Sequence, residues 1–335
     1  MASRRDVAEA AGVSMRTVSN VVNGFIHVAP STRQRVLEAI AALDYRPSEL
    51  ARSLKAGRSG LIALVLPELD TPYFAELTRA FVEDGARRGV TVVIDQTDGD
   101  LERERYLIDR TEYGSLFDGL VISPLGLRPS HVEHISPDRP LVFLGEDPFP
   151  RFDHVMIDNR CAAVEAVMHL IGGGRRRIAA VGAQRHPHGA SSQRLEGYLH
   201  ALREARLEVD DSLIVYVETF RREHGWEAAH RLLERVDPPD AIFAFSDPLA
   251  LGALRALNQR GVRVPDDIAI VGFDDIEDGR FSTPSLTTVS PDRRAIARAA
   301  LDRIEAKLAG STEPAQLTIA PHSLEIRESA PARIA

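Results

Sequence analysis

The chain has 335 residues, 44% of them hydrophobic and 27% charged, with a net charge of −8. That length exceeds one ordinary domain, and the balance is that of a soluble globular protein. No apolar run approaches the roughly 18 residues of a membrane span. Residues 1–6 lack the apolar core of a signal peptide. The single cysteine, Cys161, excludes a disulfide framework and a multi-thiolate metal centre. These features point to a cytoplasmic protein. Charge is unevenly spread. Residues 1–58 hold nine Lys/Arg against five Asp/Glu, a charge of +4, and the remainder holds 32 against 44, a charge of −12. A basic head on an acidic body is suited to meeting a polyanion with the head alone.

In chain order, Asp6–Ala11 is helical in composition and stops at Gly12. Ser14 then caps a helix from Met15 to Asn23, closed by Gly24. Pro30-Ser31-Thr32 opens a third helix, with Val36, Leu37, Ile40, Ala41 and Leu43 on its apolar period. Ser48–Leu54 reads as a very short fourth helix, and residues 55–60 as a linker.

From residue 61 short continuous apolar runs appear, at 61–66, 90–94, 120–122, 141–144, 178–181, 241–245 and 268–271. Such runs predict strands buried on both faces. Helical segments such as 73–88, 161–171 and 249–260 separate them. Alternating strand and helix predicts parallel α/β sheets with right-handed crossovers, and about 270 residues suffice for two similar lobes. Ligands of such sheets bind beyond the carboxyl ends of the strands.

The segment Asp6–Gly24 carries two short helices about a glycine turn, the pattern of a helix-turn-helix. Val7, Ala8, Ala11, Val13, Val18 and Val21 form its small apolar face. Together with Tyr45-Arg46-Pro47 and Leu50-Ala51-Arg52-Ser53-Leu54, it resembles the lactose repressor/galactose repressor family of bacterial transcription regulators. Further matches include Phe117-Asp118-Gly119-Leu120, Ile157-Asp158-Asn159, Arg194-Leu195-Glu196-Gly197-Tyr198, Ser246-Asp247-Pro248 and Val271-Gly272-Phe273-Asp274-Asp275. Order and spacing agree across nearly the whole chain.

The resemblance implies an all-α helix-turn-helix head at 1–46, a hinge helix and linker at 47–60, and a body at 61–335. The body would be a two-lobed, periplasmic-binding-protein-like (type I) α/β structure with parallel sheets. It implies a homodimer on a pseudo-palindromic double-stranded operator, with the second helix in the major groove. Met15, Arg16 and Asn20 would then reach base edges, and Ser14, Thr17, Ser19 and Asn23 would hold phosphates. Many relatives carry Arg where this chain has Asn20. Asn pairs with adenine, so the operator is expected to differ there. His27 falls where family members often touch DNA. The hinge helix is too short to be stable alone, with Ala51 and Leu54 at the minor-groove positions and Leu54 as the wedge.

For the cleft, the resemblance marks Tyr73, Phe74, Asp147, Asp158, Arg194, Phe220, Asp247 and Asp274. Arginine and carboxylates bond hydroxyls, and aromatic faces cover apolar ring surfaces, which suits a sugar or sugar derivative. A nucleobase stacked on the aromatic residues is an alternative. Asp158 and Asp247 are also candidates for helix N-caps.

Weaker signals yield no chemistry. Gly172-Gly173-Gly174 lacks the phosphate-loop ending and reads as a helix C-cap. The loop His186-Pro187-His188 is a weak candidate for touching a ligand or a stray metal, and no His-Glu-x-x-His is present. Trp226 reads as a core or subunit packing residue and Cys161 as a small buried one. No nucleophile–base pair appears, so no enzyme, cofactor or resident metal is expected. The absence of a leucine-heptad tail favours a dimer. A solute-binding protein would need a signal peptide and no basic head. A sugar- or nucleotide-modifying enzyme would need an acid/base or phosphate-loop set.

Overall fold

The computed structural model describes residues 2–22, 25, 27–45, 58–109, 116–145, 148–185 and 189–332. The chain divides into two compact units, Met1–Gly60 and Leu61–Ala335. The predicted hinge helix and its residues Ala51 and Leu54 lie outside the described residues, as do Asn23, Asp147 and the loop at 186–188.

In the first unit, helix α1 (Arg4–Ala11) begins at a capping box. Asp6 N donates to Ser3 Oγ at 3.3 Å, and Ser3 N donates to the Asp6 carboxylate at 2.7 Å. Gly12 ends the helix at φ +62°, a left-handed conformation that glycine adopts without a Cβ penalty. Helix α2 (Met15–Val22) starts at Ser14, whose hydroxyl accepts from Thr17 N at 3.1 Å. Helix α3 (Pro30–Ala42) has proline in its first turn. Val7, Ala8, Ala11, Val18, Val21, Val36, Ala39 and Tyr45 form the core of the unit. The α3 stripe differs from the predicted one. Leu37 is 47% exposed, and Val36 and Ala39 are the buried positions, with Ile40 and Leu43 packed beside them.

The second unit opens with β1 (Leu61–Leu66), α4 (Pro72–Arg88), β2 (Thr91–Gln96), α5 (Leu101–Asp109), β3 (Gly119–Ile122), β4 (Leu141–Leu144) and β5 (Asp153–Ile157). There follow α6 (Asn159–Gly172), β6 (Ile178–Ala183), α7 (Ala190–Glu204), β7 (Ile214–Tyr216), α8 (Arg222–Leu233), β8 (Ala241–Ala244), α9 (Asp247–Gln259), β9 (Ala269–Phe273) and α10 (Glu277–Arg280). The last elements are β10 (Thr287–Pro291), α11 (Arg293–Leu308), β11 (Leu317–Ala320) and β12 (His322–Glu325).

Two six-stranded sheets result, ordered β11-β5-β4-β3-β1-β2 and β12-β10-β9-β8-β6-β7. The first is parallel throughout, and only β12 runs antiparallel in the second. The chain passes between the lobes at three places: from β5 to α6, from β10 to α11 and from β11 to β12. These three segments make the only covalent hinge between the lobes that the described residues contain.

All seven predicted runs are strands, β5, β7, β10, β11 and β12 have no predicted run, and two strands are informative. β2 is an edge strand, with Val93 and Ile94 more than a third exposed, so it is not covered on both faces. β5 is a central strand that begins Asp-His, which interrupts the apolar signal. Both residues are buried because they are partnered: Asp153 Oδ1 accepts from Arg303 Nε and from Gln316 N, each at 2.9 Å, and the His154 ring bonds the Gly145 carbonyl at 2.6 Å.

Candidate nucleic-acid interface and ligand cleft

The head presents one end of α2. Met15 is 55% exposed, Arg16 is exposed, and Thr17, Ser19 and Asn20 are half-buried. Val18 and Val21 face inward, which fixes the outward side of the helix at the 3.6-residue period. Ser14 is partly committed. Its hydroxyl caps the helix and lies 2.9 Å from Thr17 Oγ1. His27 is exposed, edge-on to Phe25 at 5.4 Å between centroids.

In the body, Arg194 is the organising side chain. It projects from α7 and is 6% exposed. Its Nε donates to Asn159 Oδ1 at 2.8 Å, and Nη1 donates to the Phe245 carbonyl. The guanidinium carbon lies 3.5 Å from the centre of the Phe273 ring. These contacts place Arg194 beyond the carboxyl ends of β8 and β9, where parallel α/β sheets bind ligands. Asn159, the first residue of α6, was not singled out from the sequence, although it adjoins Asp158 in a motif that was.

Asp274 follows Phe273 and is buried, with φ +117°. Its amide donates to the Val289 carbonyl at 2.8 Å, and its own carbonyl accepts from Arg293 Nη1. The same guanidinium reaches the Asp275 carbonyl at 3.3 Å and the Glu76 carboxylate of the first lobe at 2.9 Å. The strained backbone at Asp274 is thus held from both lobes.

Tyr73 and Phe74 stand at the start of α4, ring centroids 5.3 Å apart at 67°. They and Phe220 are half-buried against the apolar cluster that includes Phe245 and Phe273. Next to Phe220, Arg221 of the second lobe pairs with Asp70 at 3.2 Å and Glu68 at 3.7 Å on the first. This link between lobes has no sequence motif and was not predicted.

Two predicted carboxylates have other partners. Asp158 is exposed and caps α6, accepting from Cys161 N at 2.8 Å. Asp247 is fully buried and accepts from Thr288 Oγ1 at 2.6 Å and from Ile276 N at 2.9 Å. Burial, and then the neighbouring Asp274 charge, holds its carboxyl well above the usual carboxylate range. Ser246, not Asp247, is the N-cap of α9.

A separate opening of about 770 Å³ lies at the crossover segments, lined by Glu76, Arg79, Ser290, Pro291, Arg293 and His322 among others. It does not include Tyr73, Phe74, Arg194 or Asp274. Two further expectations are corrected. Cys161 is exposed, because it lies on the outer face of the first turn of α6. Trp226 is 38% exposed, so of its two readings, core or subunit packing, only the core one fails, and its indole N–H bonds Gln259 Oε1 at 2.7 Å.

Known proteins share this combination of units. Residues 5–48 match the family described as "Bacterial regulatory proteins, lacI family", and residues 167–330 match the "Periplasmic binding protein-like domain". Catabolite control protein A of Priestia megaterium is 32% identical, the alignment covering 97% of this chain and 98% of the relative. The HTH-type transcriptional repressor PurR of Mannheimia succiniciproducens is 34% identical over 90% of each chain. Among solved structures, the lac repressor dimer bound to operator and the anti-inducer ONPF is 26% identical, with 99% of both chains covered and a TM-score of 0.85. The transcriptional regulator CelR–cellobiose complex is 30% identical, with 98% and 100% covered and a TM-score of 0.72. No helix among the described residues is long and apolar enough to cross a membrane. The chain belongs to the lacI family of bacterial regulatory proteins and is a ligand-responsive transcriptional repressor.

Proposed function

We propose that this repressor acts as a homodimer on a pseudo-palindromic operator and is controlled by a sugar or sugar derivative bound between the lobes of its body. Met15, Arg16 and Asn20 read base edges, Ser14, Thr17, Ser19 and Asn23 hold the backbone, and His27 adds a loop contact. Ala51 and Leu54 enter the minor groove from the hinge at 47–60. The protein does its work by binding, without an enzymatic step.

The observation that carries the reading is Arg194. It is a buried guanidinium stacked on Phe273, with two of its donors fixed and carboxylate-bearing Asp274 the next residue along the chain. A stacked, pre-oriented fork beside an acceptor recognises vicinal hydroxyls, and the half-buried Tyr73, Phe74 and Phe220 suit the apolar face of a pyranose. The solved relatives with cellobiose and with sucrose support a carbohydrate. Asp158 and Asp247 support the cleft wall through helix capping and loop anchoring.

Two equilibria follow. Ligand between the lobes changes their angle, and the three crossover segments carry that change toward the hinge and the operator, a coupling free energy between distinct sites. Calorimetry with a panel of mono- and disaccharides, followed by mobility shifts on the DNA upstream of the gene, tests this. A sugar that binds and shifts operator affinity is the expected result. Binding of nucleobases alone would replace the sugar with a stacked base.

A further inference from the structure

We infer that Cys161, Glu165 and His322 form a binding site for a borderline-soft divalent cation of the Zn²⁺ type at the base of the second lobe. Each residue offers one donor atom, and those atoms lie within 4.8 Å of one another. Cys161 and Glu165 are four residues apart on α6 and so share one helix face. His322 is the first residue of β12, which packs against that helix.

The separations lie close to what the chemistry needs. With Zn–S of about 2.3 Å and Zn–N or Zn–O of about 2.0–2.1 Å, a tetrahedral site has S···O and N···O edges of about 3.5 Å and 3.4 Å. Here Cys161 Sγ is 3.6 Å from Glu165 Oε1 and His322 Nε2 is 3.3 Å from the other oxygen, Oε2, so a turn of the exposed carboxylate is needed to bring one oxygen to both donors. The His322 side chain is 12% exposed, and its Nε2 makes no aligned hydrogen bond among the described residues although it faces the carboxylate. A cation would take Nε2 as a neutral imidazole ligand and replace the proton that otherwise faces Glu165. Thiolate, imidazole and carboxylate together select Zn²⁺ over Mg²⁺ or Ca²⁺. Cys161 and Glu165 are exposed, so a cation can enter, and water can fill the fourth position.

The location gives the site a consequence. α6 begins where the chain first enters the second lobe, and β12 begins where it enters for the last time. A cation held by both ties two of the three crossover segments together at their entry into that lobe. It therefore stabilises the folded lobe by mass action.

The experiment uses the full-length, reduced, metal-free protein without a histidine tag. Co²⁺ is titrated first and then displaced by Zn²⁺. One Co²⁺ per chain with a thiolate-to-cobalt charge-transfer band is expected, and Zn²⁺ should raise the melting temperature. Cys161→Ser should abolish the band. Glu165→Gln and His322→Ala should each weaken Co²⁺ binding at least tenfold while the metal-free melting temperature stays at the wild-type value. If His322→Ala melts early, His322→Gln supplies the comparison. Absence of the band, or a band whose affinity is unchanged in both the Glu165 and His322 variants, would overturn the site, the latter leaving only capture by a lone surface thiol.

Discussion

The guanidinium of Arg194 rests on the ring of Phe273, 3.5 Å from its centre, while its Nε is bonded to Asn159 at the start of α6. The contact ties α7 to the end of β9 and to the helix that follows the first crossing between lobes. Replacing Arg194 with lysine keeps the charge but loses the flat face and the fork. Arg194→Lys is therefore expected to weaken ligand binding at least tenfold. Arg194→Ala is expected to weaken it further and to cost about 2 kcal/mol of stability, since Asn159 Oδ1 and the Phe245 carbonyl lose their donor. Calorimetry with the sugar that binds wild type, and chemical denaturation, measure both.

Arg221 tests the link between lobes. Its partners Asp70 and Glu68 lie on the other lobe, with Asp70 exposed, Arg221 about half exposed and Glu68 half-buried. Arg221→Ala should leave the melting temperature nearly unchanged, because exposed pairs contribute little to stability. It should speed ligand dissociation severalfold, because the pairs bridge the lobes beside Phe220. Stopped-flow release that matches wild type would confine Arg221 to a surface role.

Asp275 predicts an acid-dependent stability. Burial raises its pKa, but hydrogen bonds from Arg280 and Arg327, the Arg327 charge and the Ser290 hydroxyl outweigh that and hold it below the usual carboxylate range. A carboxylate depressed in the folded state adds stability above its unfolded pKa, near 3.9, and that stability is lost as pH falls through the folded value. Asp275→Asn should cost about 3 kcal/mol at neutral pH, since it breaks a buried ion pair. The difference from wild type should shrink toward pH 2. Urea melts across pH 2–7 give the comparison.

How much of this could be read from the sequence follows from where the information resides. The head was legible because a glycine stop, a serine cap and a 3.6-residue valine pattern are local signals. Arg194 and Asp274 were legible through motifs, yet nothing local shows that the Phe273 ring lies under the guanidinium. β5 was missed because Asp153 and His154 are buried by partners 150 residues away and in a neighbouring loop, Arg303 and Gly145. Arg221 was missed because its pairing is a tertiary event between lobes. Asp247 was read as a ligand contact, and the bonds from Thr288 and Ile276 that occupy its carboxylate arise only when β10 and the loop after β9 close over α9.

Arg16 tests base reading by the head. It is exposed on α2 beside Met15. Arg16→Ala should cost about 1–3 kcal/mol on the specific operator and much less on random DNA, as a bidentate contact to guanine requires. Competition mobility shifts at fixed salt separate the two. Equal losses on both would make Arg16 a phosphate contact.

The central claim is that a ligand held by Arg194 and Asp274 sets the affinity of the head for its operator. Operator affinity is therefore measured by fluorescence anisotropy, with and without saturating ligand, for wild type and for Arg194→Ala and Asp274→Ala. Wild type should shift at least fivefold, the lower end of typical allosteric coupling. Both variants should show no shift at the ligand concentration that saturates wild type, with each variant's affinity fixed at the wild-type value without ligand. A full wild-type shift in both variants would contradict the account and place the sensing site elsewhere in the molecule.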